Sequence, residues 1–313
     1  MIKSLKDKKI LSGIVENARI PISELAKKTK LSREVVQYRL KNLEKDLISG
    51  YHARLNLNFF YNSIYTLFLN IQGIDKKTTF SLFQKLPSIH WISYTLGKWN
   101  YMITFSVNSS EELSTFFDKL SSLFKEYSLK YVLVQHMKEY KDSYSGLFGE
   151  NKILVSEAEK IKVEIDDYDK KILECLTNNA RMSNEEIANV VNLTRESVRL
   201  RIKNLEKNRI ILNYRIFIRP QFLDLTSYFI TIKCKNYNLK NIEKLGLFLS
   251  NKKSFSYVGL TSGDYNIIGD LTESSIKELD NLISSIRISF SDIIDEIEIF
   301  PLIEVNGQNY LPN

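Results

Sequence analysis

Cysteine, proline and glycine are scarce in this 313-residue sequence. The 5 prolines and 11 glycines are too few for a loop-rich chain, so we expect regular elements joined by short connections. The two cysteines, Cys175 and Cys234, have no metal-like spacing. Cys175 stands among Ile172, Leu173 and Leu176, which predicts a buried thiol in a reducing cytosol rather than a disulfide or a metal ligand.

Long apolar runs and catalytic motifs are also missing. No run approaches the roughly 18 residues of a membrane helix, and the first residues lack a signal-peptide core, so we expect a cytoplasmic protein with no membrane partner. The histidines, His52, His90 and His136, occur singly, without cysteine or carboxylate neighbours at metal spacing. No phosphate-binding loop or serine nucleophile turn occurs. We therefore predict no catalytic residues, no metal and no cofactor, and hence no enzyme.

Positive charge is concentrated in two segments. Residues 1–54 carry 13 Lys/Arg and 6 Asp/Glu, and residues 166–219 carry 11 and 8, so the rest of this +7 chain is net negative. Excess lysine could come from an AT-rich genome, but its confinement to two segments points to a polyanion bound there.

The two basic segments are copies of one unit. Residues 7–48 and 169–210 align without a gap, with 21 identities in 42 positions, which indicates duplication. Apolar residues at helical spacing predict three short helices in each copy. The predicted caps are Ser23 for the second helix of the first copy, and Ser32 and Thr194 for the third helix of each copy. Three helices ending in a basic amphipathic one are typical of a helix-turn-helix DNA reader.

A strand-helix-strand-strand-helix-strand pattern follows each unit, which is the ferredoxin-like arrangement. The first copy is preceded by a short extended stretch from Tyr51 to Leu57, and its last strand is predicted over Tyr131 to His136. We expect an α+β chain in which two winged or helix-turn-helix units alternate with two ferredoxin-like βαββαβ domains in pseudo-two-fold symmetry. The two sheets are expected to pack face to face through the stripes Tyr65-Leu67-Leu69-Ile71 and Tyr101-Ile103-Phe105-Val107.

Five segments describe this organisation. The predicted boundaries are 1–57 for the first DNA-binding domain, 58–140 for the first ferredoxin-like sensor or dimerisation domain, 141–164 for a linker, 165–219 for the second DNA-binding domain and 220–313 for the second ferredoxin-like domain.

Several motifs resemble the leucine-responsive regulatory protein/AsnC (Lrp/AsnC) family of transcription regulators. They are Asp7-Lys8-Lys9-Ile10-Leu11, Asn17-Ala18-Arg19 and Arg39-Leu40-Lys41-Asn42-Leu43-Glu44, together with their counterparts beginning at Asp169, Asn179 and Arg201. The resemblance covers nearly the whole chain, twice. It implies a helix-turn-helix reader joined to a ferredoxin-like ligand-sensing domain, here fused into a single-chain pseudo-dimer that regulates transcription by binding double-stranded DNA.

The third helix of each unit is predicted to enter the major groove, where arginine pairs with guanine and glutamine with adenine, while lysine meets phosphate. Leu200 stands at the position of Tyr38, and Arg199 at that of Gln37, so the two half-sites are expected to differ. The predicted DNA-binding residues are Ser32, Arg33, Glu34, Gln37, Tyr38, Arg39 and Lys41 in the first unit and Thr194, Arg195, Glu196, Arg199, Arg201 and Lys203 in the second.

A small-molecule effector, an amino acid or similar, is the second expected partner, and association of pseudo-dimers into a homo-oligomer stays open. The resemblance places the effector at the sheet hairpins, with Gly97, Asn100, Gly263, Asp264 and Asn266 as candidates. Both asparagines stand where the family usually has aspartate, and Trp99 replaces a tyrosine. The alternative to effector binding is that the glycines only form turns that need unusual backbone angles.

Two other functions compete with gene-specific regulation. Siroheme decarboxylases are similar to this chain in their two-domain design. They carry histidine- and arginine-rich motifs around the sheet hairpin, whereas residues 93–100 of this chain contain neither residue type. A weakly specific, nucleoid-type DNA-binding protein would also suit the charge, because non-specific binding depends on phosphate contacts.

Overall fold

The computed structural model describes residues 4–149 and 163–307. These residues form two compact units. Residues 4–59, 143–149 and 163–225 form the first, called the reader unit, and residues 60–142 and 226–307 form the second, called the barrel unit. Each repeat therefore contributes its helices to one unit and its sheet to the other.

In the described residues the elements follow in this order: α1 (Leu5–Glu16), α2 (Ile22–Thr29), α3 (Arg33–Asp46), β1 (Ile48–Leu55), α4 (Leu57–Phe60), β2 (Ser63–Gln72), α5 (Lys76–Phe83), β3 (Ile89–Thr95), β4 (Tyr101–Val107), α6 (Ser110–Leu123), β5 (Ser128–Asp142), α7 (Ser145–Phe148), α8 (Asp167–Asn178), α9 (Asn184–Val191), α10 (Arg195–Lys207), β6 (Ile211–Ile218), β7 (Thr226–Cys234), α11 (Leu239–Ser250), β8 (Phe255–Gly263), β9 (Ile267–Glu273), α12 (Ile276–Ser289) and β10 (Ile294–Gly307).

The three-helix units form as the apolar spacing predicts. Ile10, Leu11 and Ile14 of α1 are completely buried, so one face of the helix supplies a small core. The cap prediction for α2 was wrong, because the helix begins two residues earlier than expected. Its N-cap is Pro21, which supplies no side-chain bond, and Ser23 lies inside the first turn.

A two-stranded antiparallel ribbon joins the repeats within the reader unit. Strand β1 pairs with β6, and the register places His52 opposite Arg215 and Ala53 opposite Tyr214. The predicted extended stretch is therefore a strand that starts at Ile48, and its partner lies more than 150 residues later in the chain. A two-stranded ribbon is marginal alone; this one packs against α8 and α1, so the two repeats share one fold.

The two ferredoxin-like halves close into one eight-stranded barrel of order β10-β3-β4-β2-β5-β8-β9-β7. The strand order within each half confirms the ferredoxin-like arrangement and the α+β class. The halves join edge to edge, through β5 with β8 and β10 with β3. The prediction that the two sheets pack face to face missed this pairing, which satisfies the backbone groups that separate sheets would leave at their edges.

Both faces of the strands are apolar. For this reason the stripes in β2 and β4 were wrongly predicted to form the contact between the two sheets. Leu67, Leu69, Ile103 and Phe105 pack with Phe116 and other residues of α5 and α6, so the predicted stripes face the helices. The residues of opposite parity fill the barrel interior, where both halves contribute to one cluster. That cluster contains Phe68, Trp99, Met102, Val134, Phe229, Tyr265, Ile268 and Phe300.

The predicted linker is partly regular structure. Strand β5 does not end at His136 but continues to Asp142, because its extension pairs with β8. The short helix α7 follows and packs with α1 in the reader unit. Residues 150–162 of the predicted linker lie outside the described residues.

A hydrogen-bonded chain links the two hairpins inside the barrel unit. The indole Nε1 of Trp99 donates to the hydroxyl of Tyr265 at 2.8 Å, and that hydroxyl donates to Glu298 at 2.5 Å. The ammonium group of Lys98 lies 3.0 Å from the other oxygen of Glu298. Trp99 and Tyr265 occupy equivalent positions in the two halves. Two indoles could not pair in this way, since an indole only donates, so the contact depends on the halves being different.

Replacing Tyr265 with phenylalanine is expected to lower the free energy of unfolding by about 1–3 kcal/mol, because the buried indole of Trp99 loses its acceptor. Urea denaturation measures the change. Tyr237→Phe is the matched control, because Tyr237 is 57% exposed. Equal losses for the two variants would show that the Trp99–Tyr265 contact contributes nothing specific.

Candidate nucleic-acid interface

Each unit contains a tight turn between its second and third helices. Lys30 and Asn192 end α2 and α9 in the left-handed conformation, both with φ of 57°. The amides of Leu31 and Leu193 then bond to the carbonyls of Ala26 and Ala188, both at 3.1 Å. The turn is thus the same in both repeats, as a helix-turn-helix requires.

The third helices begin at the predicted caps, and this prediction is confirmed. The hydroxyl of Ser32 accepts from the amide of Val35 at 3.3 Å, and that of Thr194 from the amide of Ser197 at 3.1 Å. Both caps remain exposed, so a hydroxyl can hold the helix and still lie at the surface where a phosphate would be met.

One face of each third helix is exposed at the predicted positions. Val36 and Leu40 of α3, and Val198 and Ile202 of α10, are buried on the opposite face, which holds the helix on its unit. The exposed residues are Arg33, Glu34, Gln37, Tyr38 and Lys41 in α3 and Arg195, Glu196, Arg199, Leu200 and Lys203 in α10. Any contact of these residues with bases or phosphates stays a prediction.

Arg39 and Arg201 differ from the other predicted residues because each is half-buried in an ion pair with the first helix of its unit. Arg39 lies 3.0 Å from the carboxylate of Asp7. Arg201 lies 2.8 Å from both Asp169 and Asp166. The two arginines therefore fix the third helix against the first. The signal for this role is the repeated aspartate at positions 7 and 169, which the sequence prediction did not connect to the arginines.

The two exposed faces carry different side-chain chemistry. Arg199 forms a two-bond ion pair with Glu196, at 2.8 Å and 2.5 Å, on the surface of α10. The equivalent of Arg199 in α3 is Gln37, which carries no charge. Leu200 is 53% exposed, although it was not among the predicted contacts, and Tyr38 at its equivalent position is 69% exposed. An exposed leucine beside Arg199 is suited to contact a thymine methyl group.

Arg201→Ala is expected to lower the free energy of unfolding by about 1–2 kcal/mol, because the contacts with both aspartates are lost while Asp169 stays mostly buried. Arg195→Ala is the control: its side chain is exposed, so the change should stay within about 0.5 kcal/mol. Urea denaturation at neutral pH compares the two variants. Similar losses would contradict the structural role of Arg201.

The loss of stability in Arg201→Ala should depend on pH. The pKa of Asp166 lies below its ordinary value, chiefly because its carboxylate accepts the backbone amide of Asp169 and also because it meets Arg201. A carboxylate with a lowered pKa stabilises the fold above its unfolded pKa, and this stability is lost as pH falls through the folded value. The gap between the parent protein and Arg201→Ala should therefore shrink below about pH 4.

The predicted effector residues lie in the hairpins of the barrel unit. Gly97 and Gly263 have φ of 130° and 127°, so glycine is required in both turns. The side chain of Asn100 accepts from the amide of Ile71 and donates to its carbonyl, at 2.9 and 2.7 Å, and that of Asn266 accepts from the amide of Cys234 at 2.8 Å. These bonds tie each hairpin to the first strand of its half. Effector binding by these residues stays a prediction.

Hydrogen bonds also engage the three histidines. His52 Nδ1 lies 2.6 Å from the carbonyl of Thr177, and His90 Nε2 lies 2.7 Å from the hydroxyl of Ser106. His136 contacts the hydroxyls of Thr66 at 2.8 Å and Tyr257 at 3.1 Å. Burial lowers the pKa of His136 to about 4, so this imidazole is neutral at physiological pH.

Within the described ranges, 4–149 and 163–307, no three His, Cys, Asp or Glu side chains are grouped so that they could hold a metal ion. Cys175 and Cys234 are both buried free thiols. None of the described helices combines the length and the apolar composition that crossing a membrane requires.

Two readers of the same design in one compact unit define a tandem helix-turn-helix protein, and comparisons with known proteins agree. Residues 165–206 match the AsnC-type helix-turn-helix domain, and residues 3–46 match a winged helix-turn-helix DNA-binding domain. The HTH-type transcriptional regulator LrpA of Pyrococcus abyssi is 32% identical over 124 residues, which are 39% of this chain and 84% of the relative. The regulator FL11 of Pyrococcus furiosus is 26% identical over 119 residues, 37% of this chain and 79% of the relative.

The chain belongs to the Lrp/AsnC family of DNA-binding transcription regulators, in a tandem form that carries the helix-turn-helix twice. Among solved structures, the siroheme decarboxylase NirDL bound to an iron-uroporphyrin III analogue is similar over 98% of this chain and 92% of its own. The TM-score is 0.60 and the identity 12%. At this identity the likeness concerns the fold alone.

Proposed function

We propose that this chain is a sequence-specific transcription regulator in which a single polypeptide supplies both recognition helices of a dimer. The observation that supports the proposal most strongly is the pair of equivalent exposed faces on α3 and α10, carried in one compact unit. If both helices enter successive major grooves on one side of a duplex, half-site centres lie about 10–10.5 base pairs, or a multiple, apart.

The operator is proposed to be asymmetric, because the two readers differ at exposed positions of their third helices. Gln37 suits adenine, whereas Arg199 suits guanine. Beside them, Tyr38 and Leu200 offer different contacts. A homodimer reads two identical half-sites, but this chain is free to read two different ones. Perfectly palindromic selected sites would argue against this part of the proposal.

The double variant Arg33→Ala with Arg195→Ala tests the assigned helices. Each substitution should cost about 1–3 kcal/mol of base discrimination, the value of a bidentate arginine–guanine pair, while the fold stays intact because both side chains are exposed. Titration against specific and random DNA at fixed salt measures the preference, and circular dichroism checks the fold. Arg287→Ala, an exposed arginine of α12 in the barrel unit, is the control for lost charge. An unchanged preference in the double variant would refute the assignment.

The same titration separates gene-specific control from a nucleoid-type role. A specific regulator typically prefers its site by about 10³-fold or more. A preference below about tenfold would favour weakly specific binding, which depends on phosphate contacts and salt.

An effector, if one binds, is proposed to act at the tips of the hairpins. Asp264 and Gly97 are exposed there, whereas the side chains of Asn100 and Asn266 already bond to neighbouring strands. Effector binding is therefore proposed to involve the exposed tip residues rather than the asparagine side chains.

Siroheme decarboxylation is the second candidate, favoured by the fold likeness across 98% of the chain. We propose a regulator rather than an enzyme, because the relatives that match in sequence are named as regulators and the predicted readers keep their exposed basic faces. After incubation with siroheme and gel filtration, no tetrapyrrole absorbance band should travel with the protein. A stoichiometric band would instead support the enzyme.

A further inference from the structure

The repeated Asn-Ala-Arg motif lies outside the recognition helices, and DNA reading does not account for it. Arg19, after α1, reaches the other repeat. One guanidinium nitrogen donates to the carbonyls of Ala180 and Met182 at 2.6 and 2.7 Å, and another donates to the side-chain oxygen of Asn184 at 2.7 Å. A planar guanidinium held by three acceptors is fixed in orientation as well as in position.

The second copy of the motif makes the reciprocal contact. Arg181 donates to the carbonyl of Ala18 at 3.1 Å. The two alanines also bond to the ribbon: the amide of Ala18 donates to the carbonyl of Tyr214 at 2.9 Å, and the amide of Ala180 to that of Tyr51 at 2.8 Å. The motif of each repeat is therefore bonded to a strand of the opposite repeat.

Those two tyrosines carry the connection on to the recognition helices. The guanidinium of Arg181 lies 5.0 Å from the ring centre of Tyr51, and that of Arg19 lies 5.8 Å from the ring centre of Tyr214. The hydroxyl of Tyr51 donates to Glu44 at 2.6 Å, and that of Tyr214 donates to Glu206, also at 2.6 Å.

Glu44 belongs to α3 and Glu206 to α10, so each recognition helix is linked to the arginine of the other repeat. We call the two links, Arg181–Tyr51–Glu44 and Arg19–Tyr214–Glu206, the crossed brace.

The arginines and tyrosines of the crossed brace are partly or fully buried. Burial lowers the pKa of Arg19, opposed by the nearby Tyr214 and Glu206. Burial, together with the hydrogen bond to a glutamate, raises the pKa of both tyrosines. Each phenol is thus a neutral donor between a cation and a carboxylate. Loss of one member would leave the buried arginine or tyrosine of that link poorly paired, which is unfavourable.

We propose that Arg19 and Arg181 are positioning residues that set the spacing and phase of the two recognition helices, and so select the distance between half-sites. The proposal rests on the proposed function, because it presupposes that both helices read DNA. The two links are unequal: Arg19 bonds to three acceptors and Arg181 to one. Changes in the Arg19 link should therefore have the larger effect.

Binding to a series of duplexes tests the proposal. Each duplex carries the two selected half-sites, with their separation changed one base pair at a time over a helical turn. The parent protein should show one sharp optimum. In Tyr214→Phe and in Arg19→Lys, affinity at the optimum should fall about three- to tenfold relative to neighbouring spacings, the effect expected for a lost charged hydrogen bond. Base preference within each half-site should not change.

Each substitution keeps one property of the side chain and removes another. Arg19→Lys keeps the charge but cannot reproduce the fork, and Tyr214→Phe keeps the ring but loses the hydroxyl. Tyr51→Phe reports on the weaker link and should show a smaller effect. Tyr237→Phe, an exposed tyrosine of the barrel unit, should behave as the parent. If Arg19→Lys fails to fold, as judged by circular dichroism, the two phenylalanine variants decide the matter.

Two outcomes distinguish a failure of this proposal from a failure of the proposed function. A sharp optimum in the parent that persists unchanged in folded Tyr214→Phe and Tyr51→Phe would overturn the positioning role while leaving DNA recognition intact. A parent protein with no sequence preference at any spacing would instead refute the proposed function.

Discussion

The pairing of β1 with β6 is the constraint on which the reader unit depends. Each three-helix unit has only about 45 residues and a small core, too little to be robust alone. The ribbon joins the two into one compact unit, and the crossed brace is built on its two tyrosines. Because the second strand comes from the second repeat, neither reader is complete without the other half of the chain. Duplication within one polypeptide thus makes the contact between the two readers an internal one.

Fusion also removes the need for the two halves to be identical. A homodimer places the same residue at both equivalent positions, whereas this chain places Trp99 against Tyr265 and Gln37 in one reader where the other has Arg199. The barrel contact works only because one partner donates and the other accepts. The readers differ in charge on their exposed faces. Both differences follow from one physical fact: covalent linkage keeps the repeats together while their sequences diverge.

The sequence predicted what depends on local spacing. The helix periodicity, the caps Ser32 and Thr194 and the βαββαβ order all follow from residues near each other in the chain. The β1–β6 pairing and the barrel closure were not predicted, because they join segments far apart in sequence. The alternation of apolar and polar residues also failed as a guide in β2, because Leu67 and Phe68 are neighbours and both are completely buried. When both faces of a strand are apolar, the pattern does not show which face packs against the helices and which faces the barrel interior. Arg39 looked like a surface residue because its partner, Asp7, lies 32 positions away.

The β1–β6 ribbon and the crossed brace should hold the two readers as one rigid body. Spin labels placed at Lys27→Cys and Asn189→Cys, equivalent exposed positions on α2 and α9 outside the predicted DNA contacts, allow the distance between the two readers to be measured by pulsed electron paramagnetic resonance. The two native cysteines are buried and should label poorly. We expect one narrow distance distribution that stays the same when operator DNA is added. A broad or multiple distribution in the free protein, narrowing only on DNA, would contradict it.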